Sequence, residues 1–474
     1  MSGGTGLRMG LEPGSNDHAR ALEILRAHGW NATSFQVLEP GVDYWFDGSD
    51  ACVAYVDTGR AWVVAGAPIV AEDRMGEVAR RFEEEARRRG RRVRYFATED
   101  RFHQRIRLSR LRIGEQPVWD PAEWEETLRA SASLREQLRR SRAKGVRVRL
   151  VPAEEIVEPD GEVRQAIDRL ITRWMRAKQM APMGFLVAVH PFSFSSERRY
   201  FVAERAGAVV GFLAAVPVYA RGGWLFEDLL RDPQAPNGTT ELLVDAAMRT
   251  IAAEGSRYAT LGLAPLAGAS GWLLAAARLT RRLYDFGGLR RFKARLRPSR
   301  WEPIYLAWPE GEGEILPLVD SLAAFARGGL LRFGLETLLR GPTIVIEGLA
   351  VGLVPWTLLL ASASVPRWFP TAAAKWAWVG FDVGLCVGLF ALTRRWRPRL
   401  ATAIATAVTA DAALTWIQAL VHNAPRIEGP LEAAVTAAGV LAPTVAAPLL
   451  WRARWHRQAV TAPVEEGANR PART

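Results

Sequence analysis

Four apolar stretches, near 341–361, 375–392, 400–421 and 431–450, constrain this chain more than any other feature. Each is about 18–22 residues long, the length of helix that crosses a hydrocarbon core of about 30 Å. Short polar or proline-containing breaks separate them at Pro366–Pro370, Arg394–Arg399 and His422–Pro430. The break after the second stretch carries Arg394, Arg395, Arg397 and Arg399, and the tail after the fourth carries Arg452, Arg454 and Arg457. The other two breaks are poor in basic residues. The positive-inside bias therefore sets both termini in the cytoplasm, and an even number of spans gives the same topology. Glu347, Asp382 and Asp411 fall within the spans. Asp411 is near mid-span, whereas Glu347 and Asp382 are read as interfacial residues of little consequence. Alanine-rich and only moderately hydrophobic, the stretches leave a soluble helical bundle as the competing reading.

Charge crowds the first two-thirds of the chain. The formal net charge is +12, almost wholly from arginine, and favours an anionic partner such as nucleic acid, anionic lipid or a phosphate-bearing substrate. The competing explanation is a genome that prefers arginine codons. The two cysteines, Cys52 and Cys386, are far apart and form neither a disulfide framework nor a metal-binding spacing. Residues 1–19 lack an apolar segment of the secretory type and read as a flexible lead-in.

Between these ends, strands and helices alternate. Residues 45–66 read as strands with turns at Asp47-Gly48 and Thr58-Gly59, followed by a helix at about 73–89 closed by Gly90 and a strand RVRYFATED. The order then recurs: a helix near 161–180, a hairpin turning at Ala206-Gly207, a strand GWLFEDLLR, a helix TTELLVDAAMRTIAAEG and a strand YATLGLAPL. Two such halves predict two related α/β lobes, over 20–150 and 151–310, with a linker helix at 311–340, transmembrane helices at 341–452 and a tail at 453–474.

Basic residues cluster at 87–112, along LREQLRRSRAKGVRVRL, and along LRRFKARLRPSRW. In the second cluster, Arg135, Arg139 and Arg142 recur at helical spacing on one face. Such clusters suit lipid headgroups or an RNA backbone. Phe292, Trp301 and Tyr305 beside the third suit stacking on bases, but each taken singly reads first as core.

The segment WLFEDLLRDPQAPNGTTELLVDAAM holds the most chemistry. A strand ends near Arg231, a Pro/Gly loop follows, and a helix opens near Thr239, whose free N–H groups favour an anion. Gly238 admits a close approach to the backbone. Asp228 is a candidate base and Arg231 a candidate phosphate clamp. The plainer reading is a turn with a helix cap and a local ion pair. No nucleophile triad, nucleotide loop or metal motif appears.

Taken together, AYVDTGRAWVVAGAPI, LREQLRRSRAKGVRV, EDLLRDPQAPNGTTELL, YATLGLAPLAG and YDFGGLRRFKARLRPSRWEPIYLAWP make about residues 20–310 resemble the catalytic domain of bacterial aminoacyl-phosphatidylglycerol synthases, the lysyl-phosphatidylglycerol synthetase family. The resemblance implies tandem GNAT-like acyltransferase lobes ahead of the transmembrane bundle. It implies transfer of an amino acid from aminoacyl-tRNA to a lipid hydroxyl, usually that of the anionic phospholipid phosphatidylglycerol, at the bacterial inner membrane. An added cationic amino acid would bring resistance to cationic antimicrobial peptides. The family's Asp-x-x-Arg motif matches Asp228 and Arg231, its loop Asn237 and Gly238, the acid on the next helix Glu241, and its basic terminal motif Lys293 and Arg297. Asp228, Arg231 and Glu241 are thereby implied in catalysis, the other four in substrate binding. The aminoacyl ester is already activated, so no ATP site and no cofactor is implied.

Two departures stand out. Family members commonly carry many spans before the catalytic domain, while the apolar stretches here follow it, so lipid flipping is not carried over. The first-lobe loop, commonly Gly-Asp-Pro, reads Gly66-Ala67-Pro68. Two other readings compete. A GNAT-type N-acyltransferase would use acyl-CoA or acyl carrier protein on an amino lipid, although no CoA-binding loop is evident at Arg231–Thr239. A degenerate fold would bind membrane lipid without catalysis.

Overall fold

A computed structural model describes residues 16–177, 183–268, 286–326, 329–330, 332–334, 336, 342–365 and 367–461. The lead-in before Asn16, part of the linker region and the tail beyond Thr461 lie outside the described residues. The chain divides into two compact units, one ending at Arg332 and one running from Phe333 onward.

The first unit is built on one twelve-stranded sheet. Its strands are β1 (Asp43–Phe46), β2 (Cys52–Asp57), β3 (Ala61–Ala65), β4 (Arg92–Thr98), β5 (Ser109–Trp119), β6 (Arg147–Val151), β7 (Arg199–Arg205), β8 (Ala208–Val218), β9 (Gly223–Arg231), β10 (Tyr258–Thr260), β11 (Ala264–Pro265) and β12 (Arg300–Trp308). They lie in the order β1-β2-β3-β4-β12-β5-β10-β9-β8-β7-β6, with β11 pairing β5.

This order reads almost the same from either side of the β12–β5 seam. In one lobe β1, β2 and β3 pair antiparallel, and β3 runs parallel to β4. In the other, β7, β8 and β9 pair antiparallel, and β9 runs parallel to β10. Each parallel pair brackets an amphipathic helix, Met75–Arg88 or Thr239–Ala253, because a parallel connection needs a crossover. The next strand of each lobe then crosses to the other: β5 pairs β10, and β12 pairs β4. The fold is thus a mixed α/β sheet of two lobes of like topology that exchange their last strands.

Local sequence accounts for these elements. Residues Val78, Ala79, Phe82 and Ala86 line one buried face of Met75–Arg88, while its arginines face outward. The Ala206-Gly207 turn has φ of 49° and 80° at its two positions, the twist that a two-residue hairpin requires. The expected strand YATLGLAPL is split into β10 and β11 by a turn at Gly262.

The second unit is a bundle of four helices, Pro342–Ser362, Ala372–Arg394, Pro398–Gln418 and Pro430–Thr461. Among the described residues, three apolar helical segments, Ala372–Arg394, Pro398–Arg426 and Glu432–Trp455, are long enough to cross a membrane. The apolar part of the first helix within those residues, Ile346–Ser362, is shorter, so three segments reach that length where the sequence led to about four. The bundle leaves Val351, Leu358, Val387, Val421 and Leu441 between 56% and 73% exposed. A surface this apolar argues against the soluble-bundle reading and for a lipid environment. Asp382 is also not interfacial: it sits midway along Ala372–Arg394 and is 5% exposed.

Candidate functional site

The parallel pairing of β9 and β10 is brief. Only Gly223–Leu225 face Tyr258–Thr260. Beyond this, β9 continues to Arg231 against β8 alone, while the chain after Thr260 turns away to join β5. The sheet therefore splits, leaving the outer part of β9 with a free edge on that side.

A β-bulge lies on this edge. Ala214 faces Asp228 and Ala215 faces Phe226, so Glu227 is the extra residue. A bulge re-aims side chains, and here it brings Glu227 and Asp228 to one buried cluster. At its centre is Arg198, fully buried, which donates to Glu39 at 2.8 Å, to Glu227 and to the Ser193 carbonyl at 2.7 Å. The Ser193 hydroxyl donates to Glu39 at 3.2 Å. Three carboxyls thus surround one guanidinium. Glu39 Oε2 and Asp228 Oδ2 are buried and accept no hydrogen bond from the described residues. Burial, reinforced by the charge of Glu227, pushes the Asp228 carboxyl well above the usual carboxylate range. The same two causes push Glu39 up to about 7.

The remaining motif residues are divided by strand alternation. Asp228 faces Ala214 on the side covered by helix Glu162–Ala177, whereas Arg231 faces Gly211 on the side of helix Thr239–Ala253. Arg231 donates to Asn237 Oδ1 at 3.1 Å, which ties the strand exit to the loop. At Gly238, φ is +95°, and a Cβ would lie 2.8 Å from the Gln137 carbonyl oxygen. The close approach there is made by helix Ala132–Ala143. Glu241 is buried and accepts from Gln137 Nε2 at 2.7 Å and from the Thr240 hydroxyl at 3.0 Å.

Lys293, on helix Phe286–Arg295, is 4% exposed and donates to the carbonyls of Leu261, Gly262 and Leu263 at 2.8, 2.9 and 2.8 Å. Three acceptors match the three donors of an ammonium, although burial pushes the group down to about 7. It fixes the strip where the chain leaves β10, the wall facing the β9 edge. Arg297 is exposed just beyond the same helix, with a left-handed φ of 53°.

The structure therefore brings Arg231, Asn237, Gly238 and Glu241 together at the helix start, sets Asp228 in the acid cluster, and sets Lys293 behind the opposite wall. Glu39, Arg198 and Glu227 carried no signal in the sequence, because Arg198 lies 159 positions from Glu39. The basic runs are mostly engaged internally. Arg92 and Arg94 pair with Asp320, Arg101 and Arg105 with Glu72, Arg139 and Arg140 with Glu136, and Arg142 with Asp245. Arg291, Arg295 and Arg297 stay exposed near the end of the third run. Phe292 packs against the core, and Arg290 stacks over Trp301 at 4.7 Å. Among the described residues no His/Cys/Asp/Glu group has a metal-binding arrangement.

Comparison with known proteins bears on this site. The family model "Phosphatidylglycerol lysyltransferase, C-terminal" matches residues 22–308, more than half of the chain. A lysylphosphatidylglycerol biosynthesis bifunctional protein of Nocardia farcinica is 28% identical over 290 residues, covering 56% of this chain and 24% of that protein. Its counterpart in Mycobacterium marinum is 26% identical over 242 residues, covering 47% and 21%. The chain thus spans about a quarter or less of the length of these curated relatives. The structure of L-PGS from Bacillus licheniformis superposes with a TM-score of 0.56 at 22% identity, over 67% of this chain and 97% of that one, a likeness of fold.

Proposed function

The chain belongs to the phosphatidylglycerol lysyltransferase C-terminal family, and from that premise we propose that it transfers an amino acid from aminoacyl-tRNA to a hydroxyl of a membrane phospholipid, phosphatidylglycerol. The observation that carries this reading is the buried Asp228 carboxyl, held at a bulge on the strand with a free edge, one of its oxygens accepting no hydrogen bond from the described residues.

The reaction exchanges one ester for another, so no ATP is consumed. The glycerol hydroxyl oxygen attacks the aminoacyl carbonyl carbon, and the bond to the tRNA ribose oxygen breaks. Asp228 takes the hydroxyl proton and returns it to the departing ribose oxygen. Burial raises the proton affinity of this carboxyl above that of an ordinary carboxylate, which strengthens it as a base. Backbone N–H groups along the free β9 edge would stabilise the oxyanion. Arg231, held by Asn237, would meet the lipid phosphate. Lys293 acts through the strip it fixes, and Arg297 and its exposed neighbours would meet the tRNA backbone. The start of helix Thr239–Ala253 is closely packed by Gln137 and Ser141, which favours an aminoacyl-tRNA donor over CoA.

We further place the chain in the bacterial inner membrane as a multi-pass protein, with the catalytic unit and both termini cytoplasmic. Cationic products would then lower attraction of cationic peptides to the cell surface.

The test is expression of the full chain in a bacterium lacking aminoacylated lipids, followed by mass spectrometry of its lipids. A phosphatidylglycerol species heavier by one aminoacyl residue is expected, absent with Asp228→Ala. In membrane extracts, ribonuclease should abolish the activity. An activity that survives ribonuclease and runs on acyl-CoA would overturn the reading.

A further inference from the structure

The helices of the bundle line a half-open cavity of about 590 Å³, within the range of about 300–1,000 Å³ typical of small-molecule sites. Its wall is chiefly apolar, with Leu353, Trp356, Leu385 and Val440 contributing. Asp382 and Asp411 also line it, and among the described residues no Lys, Arg or His does. Two carboxylates thus face one apolar space with no basic side chain on its wall.

Apart from the Thr436 hydroxyl, which is buried on the same wall with no partner among the described residues, several of the other polar groups there are engaged. Trp378 Nε1 donates to Gln418 Oε1 at 2.7 Å, and Gln418 and Asn423 each donate to the Trp368 carbonyl at 3.2 Å. One oxygen of Asp411 accepts from the Thr415 hydroxyl at 3.1 Å. Asp382 differs. It is 5% exposed, lies midway along its helix, and its Oδ2 accepts no hydrogen bond from the described residues. A buried acceptor left unpaired is costly, the more so at bilayer depth. The missing partner has to be a donor, and two acids favour one that is positively charged.

We propose that this cavity is a binding site for an amphiphile that joins an aliphatic body to a primary ammonium group. The ammonium meets Asp382 and Asp411, and the aliphatic body fills the apolar wall. A phosphate would find no basic partner on the wall, so the charge recognised is that of the amine. A free long-chain amine and an amino-headed phospholipid share this chemistry. The inference stands independently of the transferase reading, because it concerns only the bundle.

The test uses the full chain in phosphatidylcholine nanodiscs, with dodecylamine as probe, dodecanol as its uncharged counterpart and native mass spectrometry as readout. One retained dodecylamine per chain is expected, with no retained dodecanol. The Asp382→Asn/Asp411→Asn variant should weaken retention by about tenfold or more, the effect of losing a charge-assisted hydrogen bond. Should that variant fail to fold, Asp382→Asn alone carries the same expectation. Gly352 lines the cavity and has open space at its Cβ position, so Gly352→Phe fills the site, keeps both acids and should also abolish retention. Competition by added phosphatidylethanolamine would assign the source as a lipid headgroup; its absence, with dodecylamine still retained, would assign a single-chain amine. Equal retention of dodecanol, or full retention of dodecylamine by the Asp→Asn variants, would overturn the proposal.

Discussion

Asp228 has to lose its proton before it can accept one, and its surroundings oppose that loss. Burial and the neighbouring Glu227 hold its carboxyl well above the ordinary range, so activity should rise with pH as the proton departs. A pH–rate profile on the full chain checks this, and Asp228→Asn should lower kcat by roughly 10²–10⁴, the usual contribution of a general base. Stability should move the other way. The fold raises Glu39 from 4.5 to about 7, so it favours the protonated form. That contribution is fully present below the unfolded value and is lost as pH rises through about 7. The thermal midpoint of the wild type should therefore fall between about pH 5 and pH 8, and less so in Glu39→Gln. Activity that rises with pH while stability falls is the signature expected of this cluster. Asp228 was legible in the sequence because it sits in a local motif at a strand exit. Glu39 and Arg198 were not, because nothing nearby in sequence marks either as the other's partner.

Elements whose determinants are local were legible to within a few residues. Helix Met75–Arg88 follows from its apolar spacing, and the hairpin at Ala206-Gly207 from two residues that tolerate positive φ. The bulge at Glu227 was not legible, since it depends on the register between β8 and β9. Gly238 looked like a place for a ligand to approach, yet helix Ala132–Ala143 fills that space. Gly238→Ala should cost roughly 1–3 kcal/mol through strain at positive φ, read as a lower thermal midpoint. In the bundle, the open question is helix Pro342–Ser362. At about 1.5 Å per residue its 21 residues reach about 31 Å, enough for a core of about 30 Å. Cytoplasmic Arg394–Arg399 and a cytoplasmic catalytic unit are compatible only if this helix also crosses. Arg367 pairs with Glu432, and Asn423 with the Trp368 carbonyl, so the loops at one end of the bundle pack together as that topology requires. A cysteine at position 364 should react with an impermeant reagent in intact cells, and one at position 396 only after lysis. Labelling at both positions in intact cells would break the topology.

At the scale of the whole catalytic unit, the exchange of β5 and β12 decides how the chain can fold. Residues 20–150 and 151–310 look in sequence like two successive lobes, and periodicity marks neither β5 nor β12 as belonging elsewhere. The register assigns them: β4 meets Tyr305–Ala307 of β12, and β10 meets Val118–Trp119 of β5. The seam is also tied by side chains. Arg221 donates to Glu99 at 3.1 Å and to Glu302 at 2.8 Å and stacks 3.8 Å over Tyr258, while Trp119 donates to the Leu296 carbonyl at 2.9 Å. Neither half can complete its core alone, because each lacks a central strand that the other supplies. Expressed separately, 1–145 and 146–332, a cut that keeps β6 with β7, should each lack a cooperative unfolding transition. Co-expressed, they should associate and regain one, since β5 and β12 then find their partners. Circular dichroism during heating and size-exclusion chromatography decide the matter. If fragment 1–145 folds alone as a stable monomer, the exchanged strands are dispensable to its core, and the free edge of β9 owes its geometry to the second half alone.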